Sequence, residues 1–167
     1  LYNSRDCVVQ NPVIIDCDQT YTGWGGGFYM VHNNSSTTTN QDNIIRGYVG
    51  LNFGANSAMA LDDINAITGI TLNDFIFWDA NSGLSTNTSS HTLTATRGTV
   101  GDMPTASVGR AFATYGSGGA SGTVLDVTNT IIRNADQDFR INIGTITHTY
   151  NNVSLVTTAA TPGTGST

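Results

Sequence analysis

The chain has 167 residues, enough for one domain with a buried core. It carries twelve Asp and six Arg, no Lys and no Glu, for a net charge of −6. These absences exclude a phosphate-binding P-loop, Schiff-base chemistry, a Lys–Asn isopeptide cross-link, an HExxH zinc protease and the closing glutamate of an EF-hand. Arg5, Arg46, Arg97, Arg110, Arg133 and Arg140 are too widely spaced for a nucleic-acid surface. No run of about 18 apolar residues is present, so no transmembrane helix is expected. Thr (26), Gly (19), Asn (17) and Ser (13) make up close to half the chain. Threonine favours strands and the other three favour turns, which points to an all-β protein.

A polar lead-in, residues 1–6, precedes Cys7 and Cys17. Between the cysteines, Val8-Val9-Gln10 and Val13-Ile14-Ile15 flank an Asn-Pro turn. That pattern predicts a hairpin with the two cysteines opposite each other, joined as a disulfide in an oxidising compartment. A Gly-rich loop follows. It carries Asp18, Tyr21 and Trp24, a candidate carbohydrate site in which aromatic faces stack on sugar and the aspartate bonds hydroxyls. Residues 28–32 read as a strand, 33–43 as a polar loop and 44–53 as a strand. Ser57 as a cap, with Ala60, Ile64 and Ile67 at helical spacing and Gly69 as a stop, predicts one short helix at about 57–68.

Residues 70–78 read as a strand, ending in a Trp78 expected in the core, and 81–90 as a second polar loop. Further strands are expected at 91–97, 106–115, 122–133 and 138–156. A turn at 134–137 brings Asn134, Asp136 and Asp138 into alternate positions, and Ca²⁺ is the metal such oxygens suit. Sequons at Asn33, Asn34, Asn87 and Asn152 are candidate glycosylation sites. The run Val153, Leu155, Thr157, Ala159 alternates with polar or small residues, as a strand donated to a neighbour would. Residues 157–167 form a Thr/Gly/Ser-rich tail.

About eight to ten strands with turns between them predict a single-domain β-sandwich or jelly roll over residues 7–156. No sequence repeat is evident. No nucleophile elbow occurs, and His32, His91 and His148 are far apart in sequence, so no enzyme is expected and a hydrolase ranks last. The leading expectation is an extracellular structural protein at the cell surface, a homopolymer subunit of a pilus-like adhesive filament joined by strand addition. A secreted lectin-like glycan-binding module is the alternative, and a viral or phage coat subunit the third reading.

Overall fold

The computed structural model describes residues 1, 4–16, 26–30, 40–62, 65–87, 90–103, 109–115 and 122–158. These contain twelve strands: β1 (Val8–Gln10), β2 (Val13–Ile15), β3 (Gly26–Met30), β4 (Ile44–Arg46), β5 (Val49–Asp62), β6 (Ile70–Asn87), β7 (Thr92–Gly101), β8 (Arg110–Thr114), β9 (Val124–Thr128), β10 (Ile131–Ile141), β11 (Thr145–Thr149) and β12 (Asn152–Thr158). The all-β class is as expected. The arrangement is not that of a sandwich or jelly roll, whose strands pair antiparallel, because every strand pairing here is parallel.

The pairings fall into three ladders, and the chain visits them in turn. The first runs β1, β4, the start of β6, the start of β7, β9, β11. The second runs β2, the start of β5, the middle of β6, the end of β7, the start of β10, the start of β12. The third runs β3, the end of β5, the end of β6, β8, the end of β10, the end of β12. The described residues thus form a parallel β-helix of six rungs, each stacked on its neighbours. The register partner of Val8 is Ile44, followed down the ladder by Thr71, Thr94, Asp126 and Thr147. Successive rungs are therefore 36, 27, 23, 32 and 21 residues apart. Such uneven lengths hide the repeat from the sequence.

The rungs turn at two columns of left-handed residues. Asn11, Gly47, Asp74, Arg97, Asn129 and Tyr150 occupy the first corner, and Asp16, Asn52, Asp79, Asp102, Asn134 and Leu155 the second, all with φ between 46° and 67°. Asn, Asp and Gly tolerate this region best, and they fill nine of these twelve positions. The turns redirect the chain onto the next face instead of folding it back on itself. This is why the Asn-Pro segment makes no hairpin: β1 and β2 pair with β4 and β5, not with each other. Cys7 is a free thiol, and Cys17, its predicted disulfide partner, lies outside the described residues.

No helix forms at 57–68. Residues through Asp62 continue β5, with Met59 and Leu61 in register with Leu84 and Thr86. The ladder supplies backbone partners on both sides, which outweighs the helical spacing. Gly69, expected as a helix stop, is another left-handed corner at φ 67°. The predicted loop at 81–90 is largely strand, because β6 runs to Asn87 and Ser82–Thr86 are buried. The turn predicted at 134–137 lies inside β10. Trp78 is not in the core. It is half-buried on the outside of the second face, where its ring lies over Gly101, and a Cβ there would come within 2.3 Å of it.

The core fills the coil from end to end. Ile45, Leu72, Ala95 and Val127 stack from the first face, and Phe77, Val100 and Ile132 from the second. Aromatic contacts run down the axis: Tyr48 to Phe77 at 5.1 Å, Phe77 to Phe75 at 4.9 Å, Phe75 to Phe112 at 6.4 Å, Phe112 to Phe139 at 5.7 Å and Phe139 to His148 at 4.4 Å. Gly98 sits under Phe75, where a Cβ would fall 2.1 Å from the ring. Among the described residues no helix is long and apolar enough to cross a membrane.

Candidate functional site

Alternation along each strand puts one set of side chains inside and the other outside, and parallel register stacks like positions into columns. On the first face the outward residues of the last four rungs are Gly69, Thr71 and Asn73; Thr92, Thr94 and Thr96; Val124, Asp126 and Thr128; Thr145, Thr147 and Thr149. Eight of these twelve are threonine. The hydroxyls interact with neighbouring rungs: Thr128 Oγ1 donates to Thr96 Oγ1 at 3.1 Å, Thr147 Oγ1 donates to Asp126 Oδ1 at 3.1 Å, and the Gly69 amide donates to Thr92 Oγ1 at 2.9 Å. Where Gly69 lacks a side chain, a shallow trough of about 380 Å³ opens between Thr71, Thr92, Thr94, Val124 and Asp126.

The second face has the same backbone and a different surface. Its outward positions are Val13, Ile15, Val49, Leu51, Ile76, Trp78, Thr99, Gly101, Ile131, Arg133, Asn152 and Ser154. Only one is threonine, and seven are large and apolar. Threonine is therefore concentrated on one face beyond what strand propensity alone requires.

At the corner beside the threonine face, Arg97 Nε donates to Asp74 Oδ1 at 2.7 Å and Nη2 to Oδ2 at 2.9 Å. These hydrogen bonds, with the cationic charge, hold the Asp74 carboxyl below its ordinary pKa and raise that of Arg97. The pair is open to water on both sides, so its contribution to stability is small.

The residues singled out in the sequence do not assemble into one site. Asp18, Tyr21, Trp24, Asn33, Asn34, Ala159 and His32 lie outside the described residues. Asn134, Asp136 and Asp138 follow one another along β10, not around a turn. Asn134 Nδ2 donates to Asp102 Oδ1 at 2.6 Å, and Asp138, buried, accepts the Phe139 amide at 2.7 Å. That extended geometry does not wrap their oxygens around an ion in the manner expected of a calcium loop. Among the described residues no group of three or more His, Cys, Asp or Glu is placed to hold a metal. Asn87 ends β6 and Asn152 opens β12, the latter exposed.

Val153 and Leu155 belong to β12, as does the backbone of Thr157, and β12 pairs with β10 of the same chain. The C-terminal run is thus the sixth rung of its own fold, not a segment free to be donated. His91 is fully buried. Its Nδ1 accepts the Ile67 amide at 3.1 Å and its Nε2 lies 2.7 Å from the Asn87 carbonyl oxygen, so both nitrogens serve the fold. His148 stacks on Phe139.

The threonine face was not foreseen from the sequence. Thr92-Leu93-Thr94-Ala95-Thr96 and Thr145-Ile146-Thr147-His148-Thr149 repeat one pattern, and that repetition was the available signal. No family model matches the chain, and no curated protein or solved structure matches it.

Proposed function

We propose that this chain is a non-enzymatic structural segment of an extracellular surface assembly, a rigid β-helical rod whose end rungs stack on copies of itself. The observation that carries this reading is that, among the described residues, the strands of the first and last rungs pair on one side only. The first-rung strands β1, β2 and β3 pair only with β4 and β5, and the last-rung strands β11 and β12 only with β9 and β10. Unpaired edges template further strands. Because the ladders are parallel, the two ends are different surfaces, and a head-to-tail contact between them propagates as an open filament. The last rung also exposes Tyr150 (63%) and Leu155 (68%), apolar groups that a stacked neighbour would cover. The low charge and the Thr, Asn, Ser and Gly surface suit close packing outside the cell, since short side chains lose little entropy when held.

Light scattering after size exclusion, with negative-stain microscopy across a concentration series, tests this reading. Rods that lengthen with concentration at constant width are expected. A monodisperse monomer at every concentration would sink it.

A further inference from the structure

Over its last four rungs the first face presents a rigid array that repeats in two dimensions. Parallel pairing spaces the rungs by about 4.8 Å, and alternate residues along a strand lie roughly 6.7 Å apart. Threonine holds its hydroxyl and methyl in few rotamers, so the array is fixed by its backbone and little entropy is lost on contact. A surface of this kind complements a ligand that also repeats in two dimensions.

Its chemistry narrows the ligand. Among the twelve outward positions of the last four rungs there is no cation and one acid, Asp126, which already accepts a hydrogen bond from Thr147. A polyanion finds nothing to neutralise it there. No aromatic ring lies among these positions, so a sugar polymer has no stacking plane. What remains is a regular mixture of hydroxyls and methyls: groups that hydrogen-bond water at set intervals and hold it in cages between them. Both spacings are close to oxygen repeats on the prism face of hexagonal ice.

We propose that the threonine face of this β-helix, centred on Thr94 and Thr147, is an ice-binding surface. The second face is the internal control, since it has the same ladder geometry and a single threonine. The inference stands apart from the assembly reading: a single rod or a filament would present the same face.

The test measures thermal hysteresis and partition into growing ice for the full chain, with β-structure verified by circular dichroism. The wild-type chain is expected to separate freezing from melting and to concentrate in the ice. Thr94→Lys and Thr147→Lys should lose most of both effects while keeping the wild-type melting temperature, and Ile131→Lys on the second face should keep both. Thr94→Ser, which removes one methyl and cannot disturb the fold by bulk, should reduce the effect in part. A folded wild-type chain with neither hysteresis nor partition would overturn the proposal. So would equal losses in Thr94→Lys and Ile131→Lys, or retention on crystalline cellulose or chitin with exclusion from ice.

Discussion

At the scale of single residues, the left-handed corners explain much of the composition. An L-residue in this region costs roughly 1–2 kcal/mol, less for Asn and Asp, whose side chains bond locally. Nine Asn, Asp and Arg side chains occupy such corners in two columns, and several bond along them: Asn52 Nδ2 to Asp16 Oδ1 at 2.5 Å, Asn134 to Asp102, Arg97 to Asp74. Leu155 and Tyr150 are the exceptions, large groups at φ 54° and exposed to water. Leu155→Asn should therefore stabilise the isolated chain by about 1 kcal/mol, seen as a higher urea midpoint at unchanged slope. The same change would remove an apolar contact from the end rung and so weaken filament growth. A lower midpoint would mean that Leu155 contributes more to packing than its exposure implies.

At the scale of strands and turns, buried amides join successive rungs. Asn151 is 1% exposed; its Oδ1 accepts the Thr130 amide at 2.8 Å and its Nδ2 donates to the Val127 carbonyl at 3.0 Å. Asn43 does the same near the first rung, accepting the Cys7 amide at 3.0 Å and donating to the Ser4 carbonyl at 3.0 Å. These bonds tie the side chain of one rung to backbone groups of the next. Asn151→Ala would strand a buried donor and a buried acceptor, and a loss of about 1–3 kcal/mol in denaturant unfolding is expected. A neutral result would mean that water reaches both groups. Strand positions at this scale were legible in the sequence: the alternation of 70–78 and 91–97 is that of β6 and β7. The helix at 57–68 and the turn at 134–137 were misread because Ala, Ile and Asn carry local preferences that ladder pairing overrides.

At the scale of the whole molecule, a coil in which each rung touches only its neighbours has graded stability. Met59, Phe75, Phe77, Val100 and Phe112 lie in rungs covered on both sides, whereas among the described residues β1 and β12 are each paired on one. Amide hydrogen exchange in a dilute sample should be slowest through the middle of β6 and β7 and fastest in β1 and β12. Uniform protection from end to end would point instead to a single all-or-none unit. In a sample that forms rods, the difference between ends and centre should shrink.

The sequence by itself determined the all-β class, most strand positions and the chemistries that missing Lys and Glu forbid, because alternation and residue inventory are local properties. Only the tertiary structure decided that the strands pair in parallel, that Cys7 stays a free thiol and that threonines scattered from 71 to 149 form one face. An alternating strand reads the same whichever partner it takes. Its partner here lies 21 to 36 residues away, at unequal spacings, and no local pattern records that distance.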